Sequence, residues 1–238
     1  SRVQIEEVVA GHRISVSERG FDMHWKTRRQ LVVSLGVGLA LGAQSASAVD
    51  KSHVEKRYHT QFDLYLSSRE AYDLKTSLAD EVLFIDVRSR QEIHYTGIAD
   101  QVDANIPYRM DTLNWRTKKD GVRGTFRTRV NPDFADAVMN ALQSRELDHK
   151  SPVILMCGAA SRAAFAASAL AKAGFEQVYI QVEGFEGVKA KSGKHKGKRS
   201  VVAGWKYEGL PWSYDLLTEK MYFNFDPKNQ LVPAASIK

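Results

Sequence analysis

The chain has 238 residues, 43% of them hydrophobic and 26% charged, with a net charge of +6. That composition is ordinary for a soluble globular protein with one sizeable domain. The single cysteine, Cys157, excludes an internal disulfide and a cysteine-rich metal site, and the absence of repeats or low-complexity tracts excludes a solenoid.

In chain order, residues 1–22 read as an upstream extension, with translation expected to begin at Met23. Residues 23–48 have the form of a secretory signal peptide. Lys26, Arg28 and Arg29 give a positive start, Leu31 to Ala43 an apolar core, and Ala46-Ser47-Ala48 a cleavage site. The apolar core is too short for a comfortable membrane span, so no stable insertion is expected after cleavage. The mature chain then begins at Val49, and the expected location is the bacterial periplasm or the cell exterior. Residues 49–61 form an N-terminal lead.

Phe62 to Leu66 is a short strand candidate. Ser67 with Glu70 makes a capping box that opens a helix through Ala71, Leu74 and Leu78. Val82 to Ile85 is a continuous apolar strand closed by Asp86-Val87-Arg88. Ser89 with Glu92 is a second capping box before a brief helix. Ala104 to Pro107 reads as another short strand. Arg109 to Val130 reads as a polar, arginine-rich loop. Asn131 and Pro132 then read as the N-cap and first residue of a helix burying Phe134, Val138, Ala141 and Leu142.

The apolar run Pro152 to Met156 is a strand ending in Cys157. It leads into a helix from about Ser161 to Ala173, with Gly174 as its stop. Val178 to Ile180 is a further strand, Glu183 to Gly187 a turn with a short helical segment, and Trp205, Leu210, Pro211 and Trp212 close the core. The run Lys189 to Arg199, broken by Gly193 and Gly197, reads as a solvated loop rather than a nucleic-acid patch, and no nucleic-acid partner is expected. Residues 215–238 form a C-terminal tail. Apolar strands alternating with helices predict an α/β fold: about five strands, mostly parallel, with helices on both faces. Asp86 and Cys157 then share the carboxyl edge of the sheet, where ligands bind in open α/β folds.

A thiol at a helix N-terminus meets the positive end of the helix dipole and free amide groups, which favour the nucleophilic thiolate. The seven histidines have no metal-ligand spacing, so no metal site is assigned. Asp86 and Arg88 are expected to pair with each other or with neighbouring loops and so fix the rim.

Five segments in order resemble the rhodanese family of sulfurtransferases. They are Ile85 to Arg88 with Glu92, Thr96 to Pro107, Val153 to Ala163, Glu183 to Phe185, and Gly204 to Lys206 with Gly209 to Trp212. The resemblance spans about residues 62–214 and implies the rhodanese-like fold. It casts Cys157 as nucleophile and Gly158, Ala159, Ala160, Ser161, Arg162 and Ala163 as a loop whose amides cradle its sulfur. The family loop carries an arginine where this chain has Gly158, a glycine at Ala160 and a serine at Ala163. The missing first arginine argues against efficient use of anionic thiosulfate.

The implied reaction moves sulfane sulfur from thiosulfate or a persulfide, through a persulfide on Cys157, to a thiol, cyanide or protein acceptor, with no cofactor. The alternatives are a catalytically weak module that binds a periplasmic partner or carries persulfide, and phosphatase-like chemistry, for which the loop is one residue too short. The reading requires a sulfur open to solvent and ringed by inward amides. The 109–130 insertion is expected to border the site and to add positive charge.

Overall fold

A computed structural model describes residues 49–223. The expected extension and signal peptide, and residues 224–238 of the tail, lie outside the described residues. The elements are β1 (Tyr65–Leu66), α1 (Ser68–Leu78), β2 (Leu83–Asp86), α2 (Arg90–Thr96), β3 (Ile98–Ala99), β4 (Ala104–Asn105), β5 (Arg109–Thr117), β6 (Gly124–Val130), α3 (Phe134–Gln143), β7 (Val153–Met156), α4 (Ser161–Lys172), β8 (Val178–Gln181) and β9 (Trp212–Ser213). None of the described helices is long and apolar enough to cross a membrane.

Five strands form one sheet in the order β1-β8-β7-β2-β4. All four pairings are parallel, as unbroken apolar strands joined by helices require. Alternation along each strand separates two cores. Leu83, Ile85, Val153, Leu155, Val178 and Ile180 pack with Val138, Leu142, Ala163 and Leu170 of α3 and α4. Phe84, Ile154 and Met156 point the other way and pack with Ala71 of α1, Phe185 and Trp205. The sheet is thus covered on both faces, the predicted α/β architecture.

Both capping boxes form, Ser67 with Glu70 and Ser89 with Glu92. The helix expected from Pro132 instead begins at Phe134. Asn131 Oδ1 accepts from the Asp133 amide at 3.2 Å, so the segment opens as a side-chain-closed turn, and Ala137 is buried where Ala141 is only half-buried. Gly174, at φ +87°, ends α4 as expected.

Two other expectations are corrected. Residues 109–130 are not a loop: β5 and β6 pair antiparallel as a long hairpin with an irregularity between Asp111 and Trp115. Its alternating apolar and basic residues satisfy the strand period, a pattern hidden by the density of charge. Glu183 to Gly187 has no helical residue; it is a turn with positive φ at Gly184 and Gly187. The core closes on Trp205 and Leu210, with Pro211 exposed and Trp212 half-buried. Residues 215–223, assigned to the tail, return to the sheet edge: Met221 bridges Asn105, and Tyr222 is buried.

Candidate active site

Strand β7 delivers Cys157 to the carboxyl edge of the sheet. Register pairs Asp86 with Met156, the residue just before the cysteine, so the two expected groups do meet at one edge. They face opposite ways. Cys157 belongs to the core on the α3 and α4 side, whereas Asp86 shares the parity of Phe84.

The chain reverses over Gly158 and Ala159 into a tight turn at Ala160, whose φ and ψ are +70° and −42°. The Ser161 amide donates to the Ala159 carbonyl at 2.9 Å, which closes a three-residue γ-turn of the rare positive-φ kind. Only glycine adopts that conformation without strain, and Ala160 stands where the resembled loop has its glycine. Among the described residues, the amides of Gly158, Ala159, Ala160, Arg162 and Ala163 donate to no protein acceptor. They surround the start of α4, whose own dipole adds partial positive charge there.

A second turn braces the loop from below. The Phe185 amide donates to the Cys157 carbonyl at 2.7 Å, which turns that carbonyl away from the cradle. A Cβ on Gly184 would collide with the Gly158 carbonyl and the Ala159 nitrogen. Buried Gln181 locks the turn, accepting from the Gly184 amide and donating to Ser68 Oγ, both at 2.6 Å. Gly184 and Gln181 are therefore positioning residues that motif reading alone did not isolate.

Cys157 is only 1% exposed. This corrects the expectation of an open thiol: Sγ lies at the floor of the loop, packed against the core. Beside it is Tyr58, also unforeseen, a half-buried phenol whose pKa is pushed up chiefly by burial, with nearby charges that include Cys157 contributing less.

Asp86 and Arg88 are both fully buried. The guanidinium grips the carboxylate through Nε and Nη2, at 2.6–3.0 Å, and extends to Thr96 Oγ1 and the Gly97 carbonyl. It also lies 3.9 Å from the centre of the Phe185 ring. This pair ties the end of β2 to the bracing turn and offers nothing to a substrate, as expected of rim-fixing residues.

Arg162 faces the mouth, but its charge is already engaged. Both terminal nitrogens donate to Glu92, which also caps α2 through the Ser89 amide. Burial pushes the Glu92 carboxyl up, and the Arg162 guanidinium outweighs it, so the carboxyl is held below its usual range. Burial alone lowers the Arg162 pKa; Glu92, then Cys157 and Asp86, hold it above its ordinary value. Glu92 is thus both helix cap and site residue. Glu186, also unforeseen, makes no side-chain hydrogen bond or ion pair among the described residues and lies 3.4 Å from where a Gly158 Cβ would sit.

A pocket of about 470 Å³ opens over the Glu92–Arg162 pair, its far wall formed by Asp111, Thr112, Leu113 and Phe126 of the hairpin. The insertion therefore borders the site as expected, but through apolar side chains and a carboxylate instead of its arginines. Among the described residues no group of three or more His, Cys, Asp or Glu is placed to hold a metal.

The family model for the rhodanese-like domain matches residues 70–191. An uncharacterized protein of Rickettsia rickettsii is 26% identical over 149 residues, covering 63% of this chain and 96% of the relative. Another, from Rickettsia conorii, is 25% identical over the same shares. The crystal structure of Rv0390 from M. tuberculosis is 23% identical with a TM-score of 0.45, covering 63% of this chain and 97% of that one. The solution structure of a polysulfide-sulfur transferase homodimer from Wolinella succinogenes is 22% identical with a TM-score of 0.37, covering 63% and 77%. With half of its length matched by that family model, and the predicted sheet and loop in place, this chain belongs to the rhodanese-like domain family.

Proposed function

We propose that the chain is a sulfurtransferase that carries sulfane sulfur as a persulfide on Cys157. The observation that carries this reading is the loop 157–163: one cysteine at a strand end, followed by five amides that donate to no acceptor among the described residues. Preorganised N–H dipoles in a water-poor site suit an anionic sulfur.

The Cys157 thiolate attacks the outer sulfur of the donor, and the donor's S–S bond breaks. Its electron pair leaves with sulfite from thiosulfate, or with a thiolate from a persulfide. An acceptor thiolate then attacks the terminal sulfur and releases Cys157 as thiolate. The added sulfur projects about 2 Å beyond Sγ, the length of an S–S bond, so loading moves the reactive atom from the floor of the loop toward the mouth. Arg162 orients the mouth through Glu92, and Asp86, Arg88 and Gly184 hold the cradle in shape. With its guanidinium already paired, the mouth favours a persulfide donor over dianionic thiosulfate.

The burial of Cys157 does not meet the open sulfur that the transferase reading requires, and it favours the second reading, a slow carrier or binding module. Intact-mass analysis after incubation with thiosulfate or glutathione persulfide separates the two. Gain of one sulfur atom, absent in Cys157→Ser, with turnover to cyanide or a thiol supports the transferase; gain without turnover supports the carrier; no gain rejects both of these and leaves the binding module. Export through Met23 to Ala48 belongs to the same proposal, and N-terminal sequencing of envelope protein that starts at Val49 tests it.

A further inference from the structure

Hairpin β5–β6 has two unlike faces. On one face, Trp115 and Phe126 stack edge to face at 5.2 Å, and Arg109, Asp111, Thr128 and Val130 share that face by register, with Arg109 bonded to Thr128. Exposed Leu113 adjoins it in the irregular stretch. The other face carries Arg116, Arg127 and Arg129, and Lys118, Lys119 and Arg123 crowd the tip. Over residues 109–130 there are seven basic residues against two acidic ones.

The hairpin packs on itself, and no other element packs extensively against it. Leu113 is 94% exposed, and Trp115 and Phe126 are more than half exposed. Phe165, also largely exposed, lies one helical turn beyond Arg162 on α4, hence on the same helix face. Exposed apolar side chains are normal singly; grouped, and mixed with aromatics and arginines, they have the composition of a protein-binding surface. Here the group is continuous with the pocket over the Glu92–Arg162 pair.

We propose that the hairpin is a docking arm for a protein partner that presents a cysteine on an apolar segment bordered by acidic side chains. The proposal rests on the sulfur-transfer reading and names the class of its acceptor. Leu113 and Phe126 hold the apolar segment beside the mouth, and Lys118 and Lys119 at the tip, just past the end of that face, hold its acidic borders. The partner's thiolate then attacks the terminal sulfur of the Cys157 persulfide, takes it as a new S–S bond, and leaves the electron pair on Cys157. The apolar wall joined to the mouth favours a protein over a single-stranded nucleic acid, which would need only the basic and aromatic surface.

Two peptides test this, each with one central cysteine between leucine and phenylalanine, one flanked by Asp and Glu, the other by Lys and Arg. With persulfide-loaded full chain, the acidic peptide is expected to accept sulfur about tenfold more efficiently, and Lys118→Glu with Lys119→Glu to abolish the preference while transfer to cyanide stays unchanged. Labelled peptides with serine for cysteine report docking alone by anisotropy, and Leu113→Ser is expected to weaken the acidic one. Equal or reversed preference, a preference that survives charge reversal, or tighter binding of a single-stranded oligonucleotide overturns the proposal. If no persulfide forms on Cys157, the transfer reading fails, and the serine peptides still decide the docking surface by the same criteria.

Discussion

Gly158→Arg tests whether charge at the mouth sets donor choice. Gly158 lies outside the positive-φ region, and its added Cβ meets nothing closer than 3.4 Å, at an Arg162 nitrogen and a Glu186 oxygen. The site accepts a side chain, which starts beside the Glu186 carboxylate at the mouth. At the dielectric of water, a unit charge about 5 Å from a dianion contributes about 1.7 kcal/mol, roughly 15-fold in kcat/KM. Screening at physiological ionic strength leaves about half of that energy, roughly a fivefold gain. The assay is thiosulfate:cyanide sulfur transfer at low and at physiological salt, with an uncharged organic trisulfide as the control donor. A gain absent for thiosulfate, equal for the trisulfide, or indifferent to salt refutes the electrostatic account of Gly158.

Three further perturbations probe the frame. Gly184→Ala forces a Cβ into the loop at φ +79°; the strain alone is of order 1–3 kcal/mol, and thermal unfolding with mass-detected persulfide should show lower stability and poorer loading together. Asp86→Asn strands the fully buried Arg88 without its counter-charge and should cost about 3–5 kcal/mol in urea unfolding. The Glu92 carboxyl titrates lower in the folded chain than its unfolded value of about 4.3, so its contribution is complete above that value and is lost as pH falls through the folded pKa. Urea unfolding across that acid range should show the loss, and Glu92→Gln, which keeps the helix cap but not the charge, should flatten it.

Most of the fold was legible because its signals are local. Two capping boxes, the apolar runs 82–85 and 152–156, and Gly174 each act through neighbours in sequence. The hairpin was not legible because the density of charge hides the alternation of β6 and the irregularity at Asp111 to Trp115 interrupts that of β5. In the site, Cys157 and its loop were legible from a strand-loop-helix pattern. Glu186 and Tyr58 were not, since Glu186 reaches Gly158 and Tyr58 reaches Cys157 from segments far away in sequence. Glu92 was read only as a cap, because its second partner, Arg162, is 70 residues away.

The resting loop is a costly structure for a chain with no use for it. Ala160 sits in a strained turn that glycine would relieve, and five amides find no acceptor among the described residues. A polar group left unpaired away from water costs about 1–3 kcal/mol, and a sparsely populated backbone conformation a similar amount. The braces against relaxation are equally specific: Gly184 has no Cβ, the Cys157 carbonyl is pinned by Phe185, and Gln181 holds the bracing turn. Strain held in place from several sides is the usual mark of a site built for an occupant. The occupant proposed above is small, anionic and attached to Cys157, which lies in sequence and space at the start of that run of amides. The proposed persulfide on Cys157 accounts for the amides and the strained alanine together, and mass detection of one added sulfur on that residue tests the account.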